Sequence, residues 1–123
     1  MTTLANRVYD NGLTVLDTEA NRIDITSQEA TTYAEATSTY TLGNSTSLAF
    51  GAPQDGDTSG RKVTASAITN GTVTGTGNAT HYAISDTVNS RLLVTATLNQ
   101  AQQVYSGNDF NLAAIDVELP DPA

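Results

Sequence analysis

The chain contains no cysteine, no tryptophan and a single histidine, His81. The lack of cysteine excludes disulfides, thiolate nucleophiles and cysteine-ligated zinc or iron–sulfur sites, and it leaves the redox compartment undetermined. One histidine limits imidazole chemistry to one base or one metal ligand. Compact motifs that build catalytic or metal centres from several Cys and His residues are therefore excluded, and we expect no cofactor.

Basic residues are also few, because five Lys and Arg stand against thirteen Asp and Glu and the formal net charge is −8. An acidic chain repels phosphate backbones and anionic membrane surfaces. No apolar run approaches the roughly 18 residues that a bilayer requires, and the first residues lack the basic and apolar regions of a secretory signal. We expect neither a nucleic-acid partner nor a membrane partner.

The residue in excess is threonine, which occupies 21 of the 123 positions. β-Branched side chains favour strands because they suit a pleated, half-buried surface. A chain of this length has room for one domain, so we treat residues 1–123 as a single β-rich unit. The expected fold is all-β, a small antiparallel β-sandwich or barrel-like domain with at most one short helix and extended terminal arms.

The first third of the chain, residues 1–41, carries six of the thirteen acids and is predicted to form a hairpin and arm region. Asn11 and Gly12 stand between apolar flanks, and because both residues accept a positive φ we predict a hairpin over 8–16. Alternation of apolar and polar residues predicts a strand over 22–26.

The only helix predicted is a weak one over 31–37. Thr32 and Glu35 stand at the spacing of a capping box, in which the two side chains satisfy backbone N–H groups of the first turn. The threonines of this segment lower its helix propensity, so we expect one or two turns at most.

Turn signals divide the rest of the chain. Glycine, proline and aspartate are dense in 42–61, which predicts a surface loop region. Residues 62–119 are predicted to form a β-meander with a turn at Asn70 and Gly71, and 120–123, which contain two prolines, an extended tail. The predicted strands are 62–68, 73–77, 80–85, 91–98, with Leu92, Val94, Ala96 and Leu98 on one face, and 110–119.

One segment matches the first half of a calcium-binding loop. It begins at Asp55 and ends at Gly60, with oxygen donors at positions 1, 3 and 5 and glycine at position 6. Position 12, a bidentate glutamate in such loops, is Ser66, and a strand is predicted where a helix is required. A solvated turn is therefore the favoured interpretation, and a weak cation site is the alternative.

His81 is the one candidate general base, and thirteen carboxylates make a chance acid pair easy to form. The chain has no Gly-x-Ser-x-Gly nucleophile elbow and no tryptophan platform for a sugar ring. The favoured interpretation of His81 is a hydrogen-bonded or exposed histidine on a strand, and we predict that the protein is not an enzyme.

Two further sets of residues have ordinary explanations. Tyr33 and Tyr40 lie seven positions apart, and core packing is favoured over stacking on a sugar. Asn44, Asn70 and Asn78 begin formal glycosylation sequons, which we attribute to a composition rich in Asn and Thr.

Five stretches carry a resemblance to known proteins: 7–13 (RVYDNGL), 27–37 (SQEATTYAEAT), 60–64 (GRKVT), 80–83 (THYA) and 89–93 (NSRLL). They resemble a family of small proteins encoded by tailed bacteriophages and prophages, and the similarity runs along most of the chain. The resemblance implies a virion structural protein, and it carries no catalytic motif.

Two roles in a particle suit a chain this small. A domain of this size buries only around 65% of its unfolded surface, and partner chains often cover the edges of such domains. We expect a capsid decoration (cement) protein on the virion surface, made in the host bacterial cytoplasm, that bridges major capsid protein subunits and is a homo-oligomer, by analogy a trimer. The alternative is a tail or tail-tip component with a receptor- or carbohydrate-binding role, although no heptad or fibre repeat of a stalk is present.

Overall fold

The computed structural model describes residues 6–56 and 60–119, of which 6–10, 99 and 119 are described by their backbone alone. Within these ranges the chain forms one α-helix and nine strands in two antiparallel sheets, so the expected small all-β fold with one short helix is confirmed. No helix in the described ranges is long and apolar enough to cross a membrane. The elements are α1 (Asn6–Glu19), β1 (Arg22–Thr26), β2 (Thr41–Ser45), β3 (Gln54–Asp55), β4 (Arg61–Ala65), β5 (Ile68–Val73), β6 (Gly77–Asp86), β7 (Arg91–Val104), β8 (Asp109–Leu112) and β9 (Ile115–Leu119).

The six-stranded sheet has the order β7-β6-β1-β2-β5-β8, and β1 lies near its centre. Ile23 and Ile25 of β1 point into the main core, whereas Asp24 and Thr26 are buried on the opposite face. Both faces of β1 are therefore covered, as expected of a strand that other elements enclose. The main core is formed by Ile23, Ile25, Leu42, Ile68, Val73, Ala79, Tyr82, Ile84, Val104 and Phe110.

The predicted hairpin over 8–16 is wrong, because these residues belong to α1. Leu13 and Leu16 are buried against Val63 of β4, whereas Val15 is 37% exposed. Buried positions three apart are the mark of a helix, while a strand would have placed Leu13 and Val15 on one face. Packing of this apolar stripe on the second sheet outweighs the turn preference of the Asn11-Gly12 pair.

The connection between β1 and β2, residues 27–40, lies over the second face of the large sheet, and we call it the cover segment. Its buried Ala30 and Ala36 pack on Ala83 of β6, and the partly buried Tyr40 and Leu92 complete this cluster. Alanines allow the segment to approach the sheet closely, so a backbone connection takes the place of a second sheet there.

The helical turn predicted over 31–37 is present, and it continues as a π-helical turn over Glu35–Thr39. The Glu35 N–H donates to Thr32 Oγ1 at 3.1 Å, and Glu35 Oε1 accepts from the Thr31 N–H at 2.8 Å. In a capping box the Glu35 carboxylate would accept from the backbone N–H of Thr32. Here it accepts from the N–H of Thr31, one residue earlier. The Thr31 backbone N–H is the main reason that the pKa of Glu35 lies below its usual value.

A buried ion pair joins the sheet to the cover segment. Arg22 donates to Asp24 through Nε at 2.8 Å and through Nη2 at 2.9 Å, and Asp24 is fully buried. The Thr41 hydroxyl donates to the same carboxylate at 2.7 Å, and Arg22 also reaches the Thr37 carbonyl at 3.4 Å. The bidentate bonds supply the partners that a buried carboxylate requires.

The predicted loop over 42–61 is only partly correct. It overlaps three strands, since β2 begins at Thr41, β3 occupies 54–55 and β4 begins at Arg61, while 46–53 is irregular. Gly43 interrupts the apolar pattern of β2. A Cβ there would stand 2.6 Å from the Thr72 carbonyl oxygen, so close strand packing requires this glycine.

The predicted turn at Asn70 and Gly71 is also wrong, because both residues lie inside β5. Asn70 has a φ of 63°, and the pairing of β5 with β8 shifts register between Ile68 and Gly71. The left-handed residue therefore serves a β-bulge, which uses the same backbone conformation as a tight turn. The predicted strand over 73–77 is not formed. Val73 ends β5, residues 74–76 connect β5 to β6, and Gly77 begins β6.

The hairpin between 80–85 and 91–98 is confirmed as β6 and β7, but both strands are longer than predicted. Ile84 pairs with Val94 and Ser85 pairs with Leu92, so Leu93 is an extra residue. This bulge turns Leu92 toward the cover segment, and the prediction that it shares a face with Val94 is wrong.

The meander predicted over 62–119 is wrong in its connectivity, because the strands are divided between two sheets. The predicted strand 110–119 breaks at 113–114, so that β8 pairs with β5 and β9 pairs with β4. In the three-stranded sheet, of order β3-β4-β9, Val63 stands opposite Val117, and α1 packs on this pair. The predicted tail 120–123 lies outside the described residues.

Replacing Gly71 with alanine tests the packing of β5. A Cβ at this position would overlap the phenyl ring of Phe110, so we expect Gly71→Ala to lower the free energy of unfolding by about 1–3 kcal/mol, measured by urea denaturation. Gly51→Ala is the control, since the nearest atom to its added Cβ is the Thr64 carbonyl oxygen at 4.0 Å. Equal stability of the two variants would contradict this packing.

Replacing Asp24 with asparagine tests the buried ion pair. Arg22 loses its counter-charge while the shape of the side chain is kept, so we expect a loss of about 3 kcal/mol in the free energy of unfolding. Asp55→Asn is the matched control because Asp55, which pairs with Arg61, is 89% exposed and should change stability by less than about 1 kcal/mol. Thermal and urea unfolding of both variants would measure the difference, and a small effect at Asp24 would argue against the pair.

Candidate binding groove

The largest irregularity of the six-stranded sheet lies in β7. Between the pairs Ala79–Gln102 and His81–Thr97, four residues of β7, 98–101, stand opposite one residue of β6. Extra residues on one strand bend it away from its partner and redirect side chains, and such bulges are frequent beside binding sites.

A groove of about 470 Å³ lies against this bulge and the link from β8 to β9. The amide side chains of Gln100, Gln102 and Asn111 line it, and Leu98 and Tyr82 add apolar surface. We call these five residues the amide groove. Its volume falls within the range of small-molecule binding sites.

A smaller hollow of about 210 Å³ adjoins the amide groove and shares Gln102 and Asn111 with it. Tyr105 and Asn108, from the turn between β7 and β8, line its outer side. Tyr105 is 56% exposed, so its ring presents an apolar face to solvent next to the amides. The two cavities therefore form one continuous polar surface.

The two glutamines are exposed residues of β7 beside the bulge. Leu98 before them and Val104 after them pack with the main core. The bulge over 98–101 interrupts the two-residue alternation of the strand. Between its two core contacts β7 thus presents two exposed amides, where the groove opens.

The carboxylate of Asp116, which lines the groove, already has hydrogen-bond partners. Asp116 accepts a hydrogen bond from the Thr64 hydroxyl at 2.7 Å and from Lys62 Nζ at 3.2 Å. These bonds, that from Thr64 foremost, hold the pKa of Asp116 below its usual value. Burial raises the pKa of Tyr82, so its phenol is a neutral donor at ordinary pH.

The chemistry of the groove is that of binding. Its described lining contains amides, hydroxyls, apolar side chains and the carboxylate of Asp116, and the adjoining hollow adds Asp109; neither lining includes Lys, Arg or His. Amides donate and accept hydrogen bonds without titrating. This set can hold a polar ligand in place, and it offers no base with an activated nucleophile beside it.

Asp55, Gly56 and Gly60 of the calcium-loop match do not line the groove, and residues 57–59 are outside the described ranges. Asp55 receives a hydrogen bond from Arg61 Nη1 at 2.7 Å, so its carboxylate serves an ion pair. Ser66 is exposed in the connection between β4 and β5. Over 6–56 and 60–119, no three His, Asp or Glu residues lie together in a way that could hold a metal ion.

His81 lies on β6, opposite Thr26 of β1 and Thr97 of β7. Its Nδ1 is 2.8 Å from Thr80 Oγ1, and the Thr80 hydroxyl donates to the Ser27 carbonyl at 3.0 Å. The imidazole thus contacts a hydroxyl that also bonds the Ser27 carbonyl of the cover segment.

The other sequence candidates are dispersed. Tyr40 packs beside Ala30 and Ala36, in keeping with core packing, and Tyr33 is partly buried in the cover segment. The sequon residues lie on three different strands: Asn44 on β2, Asn70 on β5 and Asn78 on β6. Neither tyrosine lines the groove.

Sequence reasoning did not identify Gln100, Gln102 and Asn111. One signal was present, since the apolar alternation of β7 stops at Leu98 and glutamine occupies positions 100 and 102, where apolar residues would continue it. The contribution of Asn111 could not be read from the sequence, because β8 reaches the groove only through the fold.

Comparison with protein-family models, with curated proteins and with solved structures finds no match to this chain.

The pairing of Asp116 predicts a pH dependence. Its folded pKa is depressed, so its contribution to stability is complete above the unfolded pKa, near the usual 3.8, and is lost as pH falls through the folded pKa. We expect Asp116→Asn to be at most about 1 kcal/mol less stable than the parent at pH 7, since the pair is partly exposed. The difference should disappear in strong acid. Thermal unfolding at pH 7 and in strong acid would measure the difference in stability between the two proteins. A difference that does not change with pH would refute the pairing of Asp116.

Proposed function

We propose that this protein is a non-enzymatic structural component of a tailed-bacteriophage virion, and that it acts as a capsid decoration protein that bridges neighbouring subunits of the major capsid protein. The resemblance in the five sequence stretches supports the virion assignment. The composition supports a protein partner over nucleic acid or membrane, because the net charge is −8.

The observation that carries the proposal is the edge formed by β7. This 14-residue strand ends the order of the large sheet and pairs only with β6 among the described strands. Its one charged residue is Arg91 and it has no proline. Soluble monomers usually protect such edges with charges, prolines, bulges or short strands, whereas strands of partner chains pair with open edges. Of these devices β7 has its two bulges, at Leu93 and over 98–101, and apart from Arg91 at its start no other.

The proposed contact surface lies on the large sheet and not in the N-terminal region. Residues from Asn6 onward form α1, which packs on the three-stranded sheet. The β7 edge is therefore the proposed contact with a capsid subunit or with a second copy of the chain in a homotrimer. On the virion the protein would lie on the outer capsid surface.

A tail or tail-tip component with a receptor- or carbohydrate-binding role is the second candidate. The amide groove favours it, because a polar groove beside the exposed Tyr105 suits a hydroxyl-rich ligand. Labelling of intact particles separates the two placements, since a decoration protein covers the head and a tail protein is confined to the tail.

Binding to heads tests the role of the edge. Purified protein is incubated with heads of the encoding phage stripped of accessory proteins, and co-sedimentation and heat rupture are measured. We expect saturable binding and a higher rupture temperature. Ala101→Lys, which places a charge at an exposed position of β7, should weaken binding at least about tenfold, because a charged edge opposes strand pairing.

The matched control is Ala34→Lys, the same change at an exposed alanine of the cover segment. It should bind heads like the parent protein. Absence of binding to heads would refute the decoration role, and equal binding by both lysine variants would refute the β7 edge as the contact.

A further inference from the structure

We infer that the amide groove, together with the adjoining hollow, is a binding site for a neutral glycan. This inference deepens the second candidate role, because it rests on the same groove and names its ligand class, and it does not depend on the proposed contact with the capsid.

Hydrogen-bonding capacity is the first reason. A sugar hydroxyl both donates and accepts, and an amide side chain does the same with its NH₂ and carbonyl groups. Gln100 and Gln102 offer two such groups in the groove, and Asn108 adds a third in the hollow. The Oδ1 atom of Asn111 already accepts from the Asn70 N–H at 3.2 Å, so Asn111 contributes its NH₂ group as a donor. Because amides do not titrate, the match persists across pH.

Charge is the second reason. In the described lining, the ionisable groups of negative sign are Asp116 in the groove and Asp109 in the hollow, and no side chain of positive sign is present. Phosphorylated or carboxylated ligands are bound through Arg, Lys or clusters of backbone N–H groups. A net charge of −8 adds further repulsion of anionic ligands. The carboxylate of Asp116 is already paired with Lys62 and Thr64, so the amides are the main polar partners in the groove, and we infer a neutral ligand.

The aromatic residues are the third reason. Tyr105 is 56% exposed beside the amides, and its ring offers the flat apolar surface on which the C–H face of a sugar packs. Tyr82 is only 8% exposed and lines the groove, where its neutral phenol is available as a donor. An exposed aromatic ring next to several amides suits a ligand with one apolar face and many hydroxyls.

Size is consistent with more than one sugar unit. The groove of about 470 Å³ and the hollow of about 210 Å³ share Gln102 and Asn111, so an elongated ligand can span both. The bulge over 98–101 sets the width of the groove by displacing β7 from β6.

The test uses the full chain with cellotetraose, maltotetraose and triacetylchitotriose as neutral probes and tetragalacturonate as an anionic probe. Saturation-transfer NMR and calorimetry measure binding. We expect at least one neutral probe to bind with a Kd at or below about 1 mM and the anionic probe to give no signal. Gln102→Ala, at an exposed position shared by both cavities, should weaken binding about tenfold.

Tyr105→Ala provides a second, independent variant, and it should weaken binding by a similar factor through loss of the apolar face. Gln54→Ala, an exposed glutamine on β3 outside the groove, is the control and should bind like the parent protein. Circular dichroism confirms that each variant is folded.

Three results would overturn the inference: no signal from any neutral probe, binding unchanged in the Gln102→Ala and Tyr105→Ala variants, or binding of tetragalacturonate alone. Acetyl-tetraalanine amide is included as a neutral extended peptide, and its capture at the groove in place of every sugar would assign the site to peptide. Head binding by Gln102→Ala is measured in parallel, so that failure of the glycan site and failure of the capsid role are distinguished.

Discussion

The structure depends on the burial of β1 on both faces. Ile23 and Ile25 enter the main core, and Asp24 and Thr26 are enclosed beneath the cover segment. A carboxylate buried in this way is tolerated because Arg22 and Thr41 supply directed hydrogen bonds. Arg22 also donates to the Thr37 carbonyl of the cover segment at 3.4 Å. The polar residues of β1 therefore help to position the cover segment on the sheet.

A central β1 determines where the open surfaces are. With β6 on one side and β2 on the other, β7 and β8 become the outermost strands of the large sheet. They are consecutive in the chain, and residues of both line the amide groove and its adjoining hollow. The groove and the edge of β7, which has no second partner among the described strands, thus both follow from one strand order.

Sequence patterns predicted the strands well where apolar and polar residues alternate or the turn is short. The alternation in β1 and the β6–β7 hairpin are the clearest cases. Predictions failed where one local signal serves two structures. Asn-Gly was interpreted twice as a hairpin turn, but one pair lies in α1 and the other contributes to a bulge in β5. Positive φ is common to turns and bulges, and only the partner strand selects between them.

The sequence by itself determined the chemical class of the molecule: an acidic, threonine-rich, cysteine-free chain that forms antiparallel strands. Composition and alternation are properties of the local sequence, so they can be interpreted without the tertiary structure. Three features depend on the tertiary structure. Leu13 and Leu16 pack as part of a helix on β4, residues 113–114 separate two strands that belong to different sheets, and Gln102 and Asn111 line one groove. These outcomes depend on contacts between residues distant in the chain, because burial of apolar surface is settled by the whole core and not by neighbours in sequence.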